Sequence, residues 1–321
     1  MKKLITALSA LVVSLSVASS AIAEDKLKIG FSNRTLNGAF FNGLTEYIKI
    51  HGKEAGYEVI TTDARADLNK QLADVEDMLS QGIDYLVFNP QDPVAGVKIA
   101  QMAERAKVPS IALDSDIDTS APVITRIQAN NAKNNRMIGE FAVEQFGNEP
   151  INLLVISGSQ GNLVGEMRSD NFMLGVIGTQ IRKYNHSNLN VLSQVWGNWD
   201  QQGGLKAMED ALVAHGDKIN AVYSEMDDMA LGAIRALKAA GKLDKIKVYA
   251  HDGYKFGLDA IKKGELQASA SNNPNSLTKL TIETIKQHKA GKRDFPNYLY
   301  IEPLMINKAN VDKVYDPESL Y

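Results

Sequence analysis

Residues 27–43 read LKIGFSNRTLNGAFFNG, an apolar run leading through a polar turn to two adjacent phenylalanines. The first six residues have the character of a strand, and the segment from Leu36 to Gly43 reads as a loop at its carboxyl end. An exposed phenylalanine forfeits roughly 1.5–3 kcal/mol of hydrophobic stabilisation, so two rings in one loop need a reason. Neighbouring side chains in an extended or loop backbone point apart. One ring can therefore enter a core while the other faces elsewhere.

Outward from this stretch the same grammar repeats. YEVIT, DYLVF, VPSIAL and PVITRIQ read as further strands, and INLLVIS, LNVLSQV, INAVYS, KIKVYA and LQASAS continue the series, with amphipathic segments between them. One such helix, residues 69–81, sets Leu72, Val75, Met78 and Leu79 on one face and stops at Gly82. Apolar strands alternating with helices imply parallel sheets covered on both faces. About ten strands are too many for one compact sheet. The expected fold class is α/β, with two doubly wound parallel-sheet lobes.

The sequence opens MKKLITALSALVVSLSVASSAIAEDK, which reads as a secretory signal over residues 1–23 cleaved after Ala23. Ser14, Ser16, Ser19 and Ser20 interrupt its apolar stretch, whereas a membrane anchor needs roughly 20 continuous apolar residues. Export of a soluble protein to the periplasm is the expectation. Without Lys2 and Lys3 the formal charge moves from −3 to −5, which argues against a nucleic-acid or anionic-membrane partner. With no cysteine, the chain has no disulfide, thiol nucleophile or lipid-attachment site.

Ligands of open parallel sheets bind beyond the carboxyl ends of the strands, so the residues there are the candidates. They include Arg34, Phe40 and Phe41; Asp114 and Ser115; GSQGN followed by Arg168; Trp196 and Trp199; Met226 and Asp227; His251 and Asp252; and Asn272. This mixture of carboxylates, amides, guanidinium groups and rings suits a small neutral polyhydroxylated ligand. Each hydroxyl both donates and accepts, and ring faces complement the C–H faces of a sugar. GSQGN lacks both the GxGxxG spacing and the GK[ST] ending of phosphate loops. DSDIDTS lacks the glycine and closing glutamate of a calcium loop, and the five histidines have no metal-ligand spacing, so no metal or cofactor is expected. A GxSxG nucleophile elbow is also absent. Asp114 and Asp252 could still serve as a glycosidase pair. Asp227, with Asp228, could equally be a first-turn acid of the helix that follows, and Arg168 could form a surface ion pair with Glu166 or Asp170.

TLNGAFF, GIDYLVFNPQDP, IALD, DDMALGAIRALKAAG and HDG, in this order, resemble the periplasmic sugar-binding proteins of the ribose-binding type that feed ABC transporters. The likeness spans essentially the whole chain after the signal. It implies two lobes joined by three hinge crossings, near Gln128 to Asn130, near Asn272 and near Glu302. The lobes would be residues 24–128 with 273–301, and residues 129–272 with 302–321. It implies a monomer that closes over one sugar or short sugar alcohol and docks on an inner-membrane ABC permease, with no catalysis. By position, the resemblance assigns Phe40 and Phe41, Asp114, Arg168, Trp199, Asp252 and Asn272 to the site. It also marks departures from the ribose pattern: Arg34 at a serine position, Ser115 at an arginine, Met226 at an asparagine, Gly38 at an asparagine and Asn272 at a glutamine. Arg34 would supply donors lost at Ser115, with Asp227 or Asp116 adding carboxylate oxygens. A sugar-acid binder and a secreted carbohydrate-active enzyme are the alternative readings.

Overall fold

Each apolar run singled out above becomes a strand. The computed structural model describes residues 26–321; the signal reading of residues 1–23 lies outside the described residues. In chain order the first lobe builds β1 (Lys28–Asn33), α1 (Ala39–Glu54), β2 (Glu58–Asp63), α2 (Leu68–Ser80), β3 (Tyr85–Phe88), α3 (Pro93–Arg105), β4 (Ser110–Leu113) and β5 (Arg126–Ala129). The chain then enters a second unit with α4 (Asn131–Phe146), β6 (Ile151–Ser157), α5 (Leu163–Tyr184), β7 (Leu189–Trp196), α6 (Gln201–His215) and β8 (Ala221–Ser224). It continues with α7 (Asp227–Ala239), β9 (Lys247–Tyr249), α8 (Lys255–Lys263) and β10 (Ala268–Ala270). Last come α9 (Pro274–Lys289), β11 (Tyr298–Ile301), β12 (Met305–Asn307) and α10 (Val311–Val314).

The strands form two sheets of six, ordered β11-β5-β4-β3-β1-β2 and β12-β10-β9-β8-β6-β7. The orders require passages between sheets after β5, after β10 and between β11 and β12. Central strands are buried throughout: every residue of β3, β4, β5 and β8 is enclosed. Helices cover both faces of each sheet, so apolar clusters lie on either side; Val87 and Phe88, adjacent on β3, belong to two different ones.

Three local readings need correction. Strands β11 and β12 carry no strong sequence signal and were not anticipated; β12 also runs antiparallel to β10, so the second sheet is not wholly parallel. Pairing with an already formed edge makes these short segments strands. The stretch read as a loop around Phe40 and Phe41 is the first turn of α1, entered through Gly38 at φ +101. Successive helical side chains project about 100° apart, so Phe40 is buried and Phe41 only partly so, although the two rings stay in edge-on contact.

Six helix N-termini are capped by side chains, whereas α1, α7 and α8 start without a side-chain cap. Asp67, Asp92, Asn130, Asn162, Asp200 and Asn273 each accept a hydrogen bond from the amide three residues on. These caps fix the loops from which the cleft is built.

Candidate functional site

The carboxyl ends of both sheets converge on a cavity of about 240 Å³ whose wall draws on both lobes. From the first lobe come Arg34, Phe40, Phe41, Asp114 and Ser115; from the second come Arg168, Trp199, Met226 and Asp252, with Asn272 at the second passage between sheets. Ten of the eleven residues expected at the site thus meet on one surface.

Asp227 does not. It is fully enclosed at the start of α7, accepting from Ser269 Oγ at 2.6 Å and from the Tyr254 amide at 3.0 Å. Burial, reinforced by Asp252, holds its carboxyl well above the usual range. It supports the turn carrying Asp252 and Tyr254 and does not face the cavity. Asp116 likewise accepts from Tyr298 Oη at 3.1 Å, outside the cavity wall.

Arg168 organises the polar side. Projecting from α5 and only 4% exposed, it donates from Nε to Asn131 Oδ1 at 3.0 Å and from Nη1 to the Glu225 carbonyl at 2.8 Å. Its Nη1 also stands 3.0 Å from Asp252 Oδ1. The surface pairing with Glu166 or Asp170 is therefore excluded by its burial. Burial opposes the guanidinium charge, but Asp252 and Asp114 overcome this and keep it firmly protonated. Burial pushes the Asp252 carboxyl up to about 7 against the pull of Arg168, and Asp114 adds repulsion. The Asp114 carboxyl is also raised, by burial, although Asn272 Nδ2 donates to its Oδ1 at 3.0 Å.

The aromatic side divides as the opening stretch suggested. Phe40 is 4% exposed and packs edge-on to Phe41, with centroids 5.4 Å apart. Phe41 is less enclosed, and the Arg34 guanidinium lies 5.6 Å from its ring centre. Asn33 fixes this turn by donating from Nδ2 to the Phe41 carbonyl at 2.8 Å and to Thr45 Oγ1 at 3.0 Å. Trp199 faces the cavity, whereas Trp196 sits on edge strand β7 at 44% exposure. The indole of Trp199 lies directly against Gly158, where a Cβ would fall 1.8 Å from the ring. GSQGN therefore owes its first glycine to this close approach. Its Asn162, together with Ser159, joins the cavity wall.

Thr35, Asn37, Ala66, Val164 and Asn198 also line the cavity and were not singled out for it, and Asp200, a strand-end carboxylate in WGNWDQQ, joins them. Their only sequence signal was proximity to a strand end. The structure adds a backbone signature that the sequence does not display: Ala66, Asp114, Asn198, Trp199 and Asp252 all adopt positive φ, between +53 and +119. Non-glycine residues in such conformations cost of order 1–3 kcal/mol each and cluster where surrounding structure holds a functional geometry.

Several buried polar atoms of this wall, Arg34 Nε, Trp199 Nε1 and Asn272 Oδ1, have no hydrogen-bond partner among the described residues. Chemically, the cavity offers carboxylate and amide acceptors beside two guanidinium groups, between ring faces. That arrangement orients hydroxyl groups from several directions.

Comparison with known proteins adds independent findings. A family model for the periplasmic binding protein domain matches residues 29–293. The ribose import binding protein RbsB of Salmonella typhimurium is 31% identical over 293 residues, covering 91% of this chain and 94% of that protein. The D-apiose import binding protein of Paraburkholderia graminis is 26% identical over 310 residues, or 96% of each. An ABC transporter solute binding protein from Bacillus halodurans, solved with bound myo-inositol, superposes with a TM-score of 0.82 at 25% identity, covering 93% of this chain and 100% of that one. Another, from Mycobacterium smegmatis with bound glycerol, gives 0.81 at 28% identity, covering 92% and 98%.

Proposed function

The chain belongs to the periplasmic binding protein family, and from that premise we propose that it captures a monosaccharide or short sugar alcohol between its lobes and delivers it to an ABC permease. One observation carries the reading. Arg168, Asp252, Asp114 and Asn272 form a connected polar cluster on a cavity that Phe41 and Trp199 line from opposite lobes. Hydroxyls supply both the donors that the carboxylates need and the acceptors that the guanidinium groups need.

Contacts on both lobes give the mechanism. A ligand that touches both walls favours the closed arrangement over an open one by its differential contacts, and closure about the passages excludes water. Release follows when the permease holds the lobes apart. Export to the periplasm, a monomeric state and transport without catalysis complete the proposal. Arg34 favours a second reading, a carboxylated sugar: its side chain forms no ion pair among the described residues, although it lines the cavity.

A thermal-shift screen of refolded, ligand-stripped protein against pentoses, hexoses, four- to six-carbon polyols and sugar acids tests both readings. Ligand at 1,000 times its dissociation constant stabilises by about 4 kcal/mol, an upward shift of several degrees. A saturable hit among neutral sugars or polyols, silent with its epimers, supports the first reading. A hit confined to sugar acids selects the second. No shift with any class overturns both.

A further inference from the structure

We propose that residues 315–321 form a side-chain tie between the lobes beyond the three backbone passages, and that Tyr321 is a positioning residue whose ring sets the angle at which the lobes meet. The effect on ligand capture rests on the solute-binding reading above; the effect on lobe angle does not.

The segment starts in the second lobe. It leaves α10, which packs on α8, and Lys255 Nζ of α8 donates to the Pro317 carbonyl. It ends against the first lobe. There the Leu320 amide donates to Tyr47 Oη of α1 at 3.1 Å, and Tyr321 is buried to 5% exposure. The Tyr321 ring meets Phe40 edge-on, with centroids 5.7 Å apart at 69°, and meets Tyr254 at 5.7 Å and 40°. Phe40 belongs to the first lobe and lines the cavity; Tyr254 belongs to the second and follows Asp252 by two residues. Gly43 of α1 marks a third side: a Cβ there would stand 3.1 Å from Pro274 at the start of α9 and 3.4 Å from Tyr321. Tyr321 thus sits where α1, the second passage and the Asp252 turn converge.

The phenol is enclosed but its Oη has no hydrogen-bond partner among the described residues. An unpartnered buried hydroxyl costs free energy, so what the ring contributes is shape and apolar contact. Contacts of this kind reach 150–250 Å² for a buried aromatic. Because the contacts span two bodies that meet at hinges, they bias the hinge angle and do not merely fill one core.

The test reads lobe separation directly, without any sugar. The chain has no cysteine, so Glu76→Cys on α2 and Glu209→Cys on α6, both exposed, place one spin label on each lobe. Distance distributions are then compared for this labelled parent and for the same protein carrying Tyr321→Ala, Tyr321→Phe or Tyr47→Phe. The expected result is a longer, broader distribution for Tyr321→Ala, with Tyr321→Phe matching the parent. For the ligand found in the thermal screen, a tenfold fall in the binding-competent fraction weakens apparent affinity about tenfold. A Tyr321→Ala protein with lower thermal stability but the parent's distances overturns the proposal, since that is what simple core packing gives. Tyr321→Phe behaving like Tyr321→Ala overturns the role assigned to the ring. If Tyr321→Ala does not fold, Tyr47→Phe carries the test, because it removes only the Leu320 tether: broadening supports the tie and unchanged distances overturn it. Shifted distances in a protein that binds no sugar leave the tie standing and overturn the solute-binding reading alone.

Discussion

Arg168 draws its partners from elements other than its own helix: Asn131 at the start of α4, the Glu225 carbonyl before α7 and Asp252 after β9. Arg168→Ala leaves Asp252 without its cation and removes donors from the cavity wall. Loss of hydrogen bonds to a charged group weakens ligand binding by about 1.5–3 kcal/mol, measurable by titration calorimetry. Arg168→Lys does not restore it, because both Nε and Nη1 are engaged and an ammonium cannot reproduce the fork. Unaltered affinity in either variant would remove Arg168 from the site. Asp252 gives a pH test. Its carboxyl, pushed up to about 7, keeps in the folded state a proton that the unfolded chain releases near the ordinary value of 3.8. Its contribution to stability is thus present at acid pH and is lost as pH rises from the unfolded value through about 7. The thermal midpoint of Asp252→Asn should therefore gain more over the parent at pH 8 than at pH 5; equal gains at both would contradict the raised value. A ligand hydroxyl donating to this group prefers the ionised form, so affinity in the parent should fall as pH drops through about 7. In the asparagine variant the fall centred at about 7 should disappear. Asp252 was legible as a candidate because it follows a strand, whereas Arg168, inside α5, was assigned to the site only by the family resemblance. Asp227 carried two readings, site carboxylate or first-turn acid of the next helix, and it lies in the first turn of α7, because a strand-end carboxylate looks the same in sequence whether it turns to the cavity or beneath it.

At the level of elements, close packing decides where the side chains arrive. Helices α4 and α5, which carry Asn131 and Arg168, touch through glycines: a Cβ at Gly139 would lie 2.2 Å from the Phe172 carbonyl, and one at Gly175 would lie 2.3 Å from the Arg136 carbonyl. Neither obstacle is a flexible side chain. Gly139→Ala forces the helices apart and should cost roughly 1–3 kcal/mol of stability, read as a lower denaturation midpoint with unchanged slope. A neutral result would mean that the two helices can separate freely. Gly158→Ala acts on the site itself. The added methyl must displace the Trp199 indole, so affinity should drop and ligand-dependent tryptophan fluorescence should diminish. A variant that keeps both would place the recognition surface away from Trp199. The apolar strands and the helix starting near residue 69 were readable because burial on two faces leaves a continuous hydrophobic run and a 3.6-residue period. YLYI in β11 and MIN in β12 were not. They are short, partly exposed and defined by the edges they join.

For the whole molecule, capture by closure has a direct signature. Saturating ligand should reduce the radius of gyration in small-angle scattering, and a cavity wall drawn from both lobes requires that the change vanish when Asp114 and Asp252 are both replaced by alanine. A radius indifferent to ligand would mean that binding does not move the lobes. What the sequence determined alone was the α/β alternation, the two-sheet architecture and the set of strand ends at which polar and aromatic residues gather. Those follow from local patterning: periodicity and burial are written in neighbouring residues. Only the tertiary structure decided that Phe40 packs inward while Phe41 lies less enclosed under Arg34, that Trp199 and not Trp196 faces the cavity, that Asp227 lies beneath it, and that Tyr321 returns to wedge the lobes. Each of these depends on contacts between residues far apart in the chain, and a side chain's direction is set by the surface it meets.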